Sequence, residues 1–156
     1  MSTVLPIVVS YLLGSIPTSA IAGRIRGVDL RDHGSGNLGF TNALRVLGPR
    51  AAVPVLIVDL AKGLVAVLII APTLGEGSPL GPTGIALAAG LAAVAGHVWP
   101  LFAGFRGGKG VATACGVFLA AAPLATAAVA AVWLAIVLVT RYVSLGSVVA
   151  AVALPL

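Results

Sequence analysis

The stretch VDLRDHGSGNLGFTNALR, residues 28–45, decides what kind of molecule this is. Nearly all of the remaining chain is Ala, Val, Leu and Ile, yet here Asp29, Arg31, Asp32, His33, Ser35, Asn37, Thr41, Asn42 and Arg45 crowd around Gly34, Gly36 and Gly39. A bilayer interior has no water to satisfy so many donors and charges. This island therefore lies at a membrane surface, with apolar runs on both sides of it free to cross. A second island, GFRGGKGVAT at residues 104–113, sets Arg106 and Lys109 among four glycines. The apolar remainder reads as the scaffold that brings the two islands together.

Composition supports that division. The chain is 60% hydrophobic and 8% charged with a mean hydropathy of +1.16, well outside the range of soluble domains. The expected fold is all-α: a polytopic integral membrane helical bundle, one domain over residues 1–156 with polar loops at about 23–50, 103–111 and 140–147. No basic residue precedes the first apolar run and no cleavage site follows it, so a cleaved signal peptide is not expected. The net charge of +5 sits in short loops between spans, which argues against nucleic acid as a partner and for an anionic small molecule or lipid headgroups. A lone cysteine, Cys115, excludes an internal disulfide, and with two histidines neither a metal site nor a redox cofactor is indicated.

Thr3 to Ala22 is long enough to span about 30 Å, and its Gly14, Ser15, Pro17, Thr18 and Ser19 read as tight helix packing or as part of a substrate site. The loop from Gly23 to Arg50 carries five arginines, whereas the hairpin from Ala71 to Thr83 carries only Glu76. The positive-inside rule makes the first cytoplasmic and the second external. Between them Ala51 to Ala71 forms the second span, with Asp59 and Lys62 on one helical face. Two readings fit that pair: mutual neutralisation, or the positioning of a polar group at the site. Gly84 to Phe102 returns the chain, and Trp99 suits the interface. Val111 to Thr140 is either one tilted helix or two; the bias that would keep Arg141, Tyr142, Ser144 and Ser147 cytoplasmic favours two short helices turning near Pro123. The apolar tail from Val143 to Leu156 is too short to span, and the chain is expected to stop inside a helix.

Gly107, Gly108 and Gly110 free the second island's backbone to aim N–H groups at one spot, and Arg106 and Lys109 add charge there, which is how a phosphate is held. It is not a Walker loop, since Gly104 and Gly108 are one residue too close and Gly110 stands where Ser or Thr follows the lysine. A basic loop resting on anionic lipid is the plainer alternative. In the first island Ser35, Asn37, Thr41 and Asn42 offer groups suited to a polyol, and Arg45 suits bidentate phosphate contact. If residues 39–47 are helical, Thr41, Asn42 and Arg45 are neighbours, and the helix N-terminus adds to an anion site. Capping of the loop by its own side chains explains Ser35 or Asn37 singly but not the whole run.

Three segments, GSGNLGFTNALRVLG at residues 34–48, GHVWPLFAGFRGGKGVAT at 96–113 and TRYVSLGSVVAA at 140–151, resemble the cytoplasmic motifs of the bacterial acyl-phosphate glycerol-3-phosphate acyltransferases, the PlsY family. The resemblance covers nearly the whole chain in order. It implies transfer of a fatty acyl group from acyl phosphate to the sn-1 hydroxyl of glycerol 3-phosphate, forming lysophosphatidic acid in the bacterial inner membrane with the active site facing the cytoplasm. On these motifs Ser35, Arg45 and Lys109 are the expected catalytic residues. Gly34, Asn37, Thr41, Asn42, His97, Arg106, Gly107, Gly108, Gly110 and Ser144 are the expected substrate-binding residues. Leu38 and Phe40 depart from the family's usual Pro and Ala, and the chain ends before the family's basic C-terminal segment.

Neither His33 nor His97 has an aspartate at the spacing a His-x4-Asp acyltransferase requires, because Leu38 and Phe102 stand there. His97 reads first as a hydrogen-bonded residue at a helix end. What remains is substrate-assisted transfer, in which a phosphate oxygen accepts the hydroxyl proton. A small anion transporter or channel subunit is the rival reading; it needs ionisable groups at mid-membrane, where only Asp59 and Lys62 lie. A purely structural subunit leaves the density of polar residues in the loops without a use.

Overall fold

The computed structural model describes residues 3–153. In chain order its α-helices are α1 (Val4–Gly14), α2 (Thr18–Ile25), α3 (Phe40–Leu47), α4 (Pro49–Val65), α5 (Ala71–Leu74), α6 (Gly81–Val98), α7 (Val111–Ala121), α8 (Pro123–Thr140) and α9 (Val143–Ala153). A π-helical turn, Ala66–Ile70, joins α4 to α5, and a 3-10 turn, Leu101–Ala103, follows α6. Four stretches are long and apolar enough to cross a membrane: Val4–Ile25, Pro49–Leu74, Gly81–Ala103 and Pro123–Thr140. The first three match the spans expected from sequence within a few residues at each end, because a run of some 20 apolar residues has no cheaper structure in lipid than a helix.

Small residues set the packing. A side chain at Gly14 would strike the Ala93 carbonyl and one at Gly96 would strike the Tyr11 carbonyl, so α1 and α6 touch backbone to backbone. Gly63 and Gly116 do the same for α4 and α7, against Thr113 and Leu60 respectively. With no hydrophobic force between helices in lipid, such close approach supplies the dispersion energy that holds them. Large apolar side chains point outward instead: Ile57, Leu68, Leu87 and Leu91 are all more than half or about half exposed, as a lipid-facing surface requires.

The first span is broken. Pro17 has no N–H to continue the ladder, and between α1 and α2 the Ile16 carbonyl is released from helical pairing. Lys62 of α4 occupies that gap, donating to the Ile16 carbonyl at 2.6 Å and to Asp59 Oδ1 at 2.7 Å. The pair is buried, Lys62 at 2% and Asp59 at 1% exposure, so mutual neutralisation, the first of the two readings of this pair, is present. Removing one partner alone would strand a charge at a cost of about 3–5 kcal/mol.

Two expectations need correction. The second helix of the 111–140 segment is not short: α7 has 11 residues but α8 has 18, enough to cross. The break falls at the expected position, at Ala122 with φ −145° before Pro123, but from Pro123 onward nothing interrupts the ladder until Arg141 turns left-handed at φ 61°. The third polar cluster is also hardly a loop. Only Arg141 and Tyr142 separate α8 from α9, so Ser144 and Ser147 are helical, and Ser147 accepts a hydrogen bond from the Trp133 indole at 3.3 Å. The tail from Val143 is helical through Ala153; its last residues, 154–156, lie outside the described residues.

Candidate active site

Chain direction places both islands at one end of the bundle and the 75–80 hairpin at the other, where Thr3 Oγ1 lies 2.8 Å from Ser78 Oγ. At the island end the first loop is built around Asn42. Its buried amide donates to the Leu30 and His33 carbonyls, both at 3.1 Å, while its Oδ1 accepts the Ser35 N–H at 2.9 Å. Asn42 thus holds the loop that presents Ser35, and its amide protons are not free for a substrate. Leu38 is buried and its carbonyl accepts the Ser19 hydroxyl at 2.7 Å, which pins the turn just before α3.

The second island rests on the end of α6. Gly107 N–H donates to the Val98 carbonyl and Gly108 N–H to the His97 carbonyl, each at 3.1 Å. These two amides, expected from the glycine pattern to point at a phosphate, are therefore committed to the protein. The free donors lie one step on: among the described residues the N–H groups of Lys109, Gly110 and the first turn of α7 have no backbone acceptor. Gly110 makes this possible by taking φ 76° as the N-cap of α7, a conformation costly for a residue with a Cβ. A helix N-terminus beside Lys109 is a natural anion site.

The islands meet. Gly39 approaches the Gly108 backbone, a side chain at Gly108 would strike His97 Nε2 and lie 3.1 Å from the Leu38 carbonyl, and Arg31 crosses to the Ala103 carbonyl at 3.1 Å. A cavity of about 10 Å³, bounded by Thr18, Leu38, His97, Gly107 and Gly108 among others, lies under the seam. On the two islands Ser35, Thr41, Arg45, Arg106 and Lys109 are exposed, and among the described residues the side chains of Arg45, Arg106 and Lys109 have neither an ion pair nor a hydrogen bond. Gly34 packs on Asn42 and Val46, and Asn37 is half-buried beside Gly39. His97 is buried behind the glycines rather than open to solvent. Ser144 stands apart: it is exposed at the start of α9, whose packing partner is α8, and has no hydrogen bond to either island.

Gly108→Ala is expected to cut turnover at least tenfold and to lower thermal stability in detergent by about 1–3 kcal/mol, the usual cost of overpacking. The Cβ would displace either the imidazole or the Leu38 turn. Steady-state rates and a melting curve on the same preparation check it; wild-type values in both would mean that the seam between the islands is loose.

A helical bundle with lipid-facing flanks and one phosphate-suited, glycine-rich end defines a polytopic integral membrane protein. Comparison with known proteins makes this specific. A family profile described as glycerol-3-phosphate acyltransferase matches residues 4–156, and the chain belongs to that family. A glycerol-3-phosphate acyltransferase of Chlorobium phaeobacteroides (strain BS1) is 51% identical over 94% of this chain. One from Desulforudis audaxviator (strain MP104C) is 46% identical over all of it. The crystal structure of PlsY, an integral membrane glycerol 3-phosphate acyltransferase, superposes in its glycerol 3-phosphate form with a TM-score of 0.88 at 42% identity over 99% of this chain. The lysophosphatidic acid form of PlsY gives 0.85 at 41%. The chain spans 65% of the length of the Chlorobium relative, 76% of the Desulforudis relative and 74% of the crystallised chain.

Proposed function

We propose that this protein transfers a fatty acyl group from acyl phosphate to the sn-1 hydroxyl of glycerol 3-phosphate, releasing lysophosphatidic acid and inorganic phosphate. The observation that carries the reading is the meeting of the two islands at Gly39 and Gly108, with Arg45, Arg106 and Lys109 exposed and unpaired on those islands. Two phosphate-bearing substrates need two patches of positive charge within reach of each other. The PlsY crystal forms with glycerol 3-phosphate and with lysophosphatidic acid support the choice of acceptor and product.

In this reading Lys109 and the N-terminus of α7 hold one phosphate, Arg45 holds the other, and Ser35 with Asn37 and Thr41 orients the polyol. The acceptor oxygen forms a bond to the acyl carbonyl carbon as the bond from that carbon to the phosphate oxygen breaks. A phosphate oxygen takes the hydroxyl proton, so the leaving group departs as hydrogen phosphate. Phosphate is a good leaving group whose charge the basic residues stabilise, and most of the acceleration comes from positioning and from that charge. Asp59 and Lys62, the charges at membrane depth, are tied to each other, which favours an interfacial enzyme over an anion path. The test is formation of lysophosphatidic acid by purified protein from acyl phosphate and glycerol 3-phosphate; no product would remove the assignment.

The arginines of the first loop support a site on the cytoplasmic side of the bacterial inner membrane. In a Cys115→Ala background, the separate changes Ser35→Cys, Lys109→Cys and Ser144→Cys should resist an impermeant thiol reagent in intact cells, while Glu76→Cys should react. Reaction at 144 from outside would put the α8–α9 turn on the external face.

A further inference from the structure

The acyl-transfer reading makes no use of the buried polar group between α2, α4 and α6, in which four side chains from three separate spans converge. Lys62 Nζ has three acceptors, the Ile16 carbonyl, Asp59 Oδ1 and Thr18 Oγ1 at 2.6, 2.7 and 2.8 Å, so its protons are fully used. Thr18 in turn donates to Asp59 Oδ1 at 2.8 Å. The second carboxylate oxygen, Oδ2, is buried and has no hydrogen-bond partner among the described residues. A fourth group faces this carboxylate: His97 Nδ1 lies 3.6 Å from Oδ1. The other side of the imidazole, Nε2, lies against Gly108.

We infer that Asp59, fixed by Lys62 and Thr18, is a positioning residue that holds His97 with its proton on Nδ1, and through His97 sets the backbone of residues 107–110 and hence Lys109. The tautomer follows from what each ring nitrogen meets. Nδ1 lies 3.6 Å from Asp59 Oδ1, beyond hydrogen-bond length but within the field of the carboxylate, so a proton there is stabilised and a lone pair there is repelled. Nε2 lies against Gly108 beside the small cavity and makes no hydrogen bond among the described residues. His97 then fastens the loop twice, through the ring packed on Gly108 and through its carbonyl, which accepts the Gly108 N–H at 3.1 Å. Turning the ring would move the backbone that carries Lys109. Thr18 and Lys62 matter because they hold the carboxylate at the position from which it can reach the ring.

The kinetic part of this inference rests on the acyl-transfer reading, so the test has a second arm that does not. The chain has two histidines, so nitrogen NMR of histidine-labelled protein in lipid nanodiscs, with His33→Gln to assign the other signal, reads the His97 tautomer directly. The expected result is the Nδ1–H form in the wild type and its loss in Asp59→Asn. In the assay, Asp59→Asn and Thr18→Val should lower kcat about ten- to hundredfold, with the KM for glycerol 3-phosphate changed less than about threefold, and Thr18→Ser should restore kcat to within about twofold. If Asp59→Asn does not fold, Asp59→Asn combined with Lys62→Met removes both charges and takes its place in both arms. A wild-type Nε2–H form, a tautomer indifferent to Asp59, or wild-type kcat per folded molecule in these variants would each overturn the inference. Wild-type protein that makes no lysophosphatidic acid but shows an Nδ1–H form lost in Asp59→Asn would overturn the acyl-transfer reading and support this one.

Discussion

Lys109→Ala and Arg45→Ala are each expected to lower turnover by about ten- to hundredfold or more while leaving insertion and folding intact. The two halves of that expectation have separate grounds. Both side chains are exposed and make no ion pair or hydrogen bond among the described residues. Their removal should therefore change stability by no more than about 0.5 kcal/mol, as for other surface substitutions. A phosphate held by either one, by contrast, loses a charge-assisted hydrogen bond worth about 1.5–3 kcal/mol, and every 1.4 kcal/mol is tenfold. Lys109 should show the larger loss in kcat if its phosphate is the leaving group, because that charge grows in the transition state. Arg45→Lys should recover little, since an ammonium cannot reproduce the two parallel bonds of a guanidinium. Turnover and Michaelis constants for both substrates, measured beside a melting curve, check the whole set. Unchanged kinetics in both alanine variants would remove the phosphate site from these residues.

The second large effect concerns the acyl donor. Palmitoyl phosphate should be used at least about a hundredfold faster than palmitoyl-CoA at matched concentrations. A thioester attacked by a hydroxyl needs a base to activate the acceptor, and neither His33 nor His97 is followed at the required spacing by an aspartate. His97 does have an acidic neighbour in space, Asp59, but the ring nitrogen that would act as a base is packed on Gly108 rather than open to a substrate. An acyl phosphate carries its own proton acceptor and its own leaving group. The free amides at the α7 N-terminus, Lys109 and Arg45 suit single phosphates. Comparable rates with both donors would remove the donor assignment and the proton transfer that depends on it.

Much of this was legible in order along the chain. Hydropathy adds up residue by residue, so three spans and the break at Pro123 could be placed without knowing what they touch. The polar islands declared themselves because lipid cannot satisfy their donors, and the quoted motifs carried the family. The length of α8 departs from expectation for an equally local reason: placing Arg141 by charge bias shortens a helix whose own residues, from Pro123 to Thr140, contain nothing to stop it. Asn42 reads as a substrate ligand by type, and only its three partners at Leu30, His33 and Ser35 make it the clamp of the loop instead.

The sequence by itself determined a membrane bundle, two basic glycine-rich islands on one side of it, and the family to which the chain belongs. The tertiary structure alone decided which donors remain for a ligand, moving them from Gly107 and Gly108 to Lys109, Gly110 and the start of α7, and it alone joined Thr18, Asp59, Lys62 and His97 into one group. The difference is physical. Transfer into lipid depends on a residue's type and its immediate neighbours, whereas a hydrogen bond depends on which atom stands within about 3 Å. Between Thr18 and Asp59 that atom comes from 41 residues away.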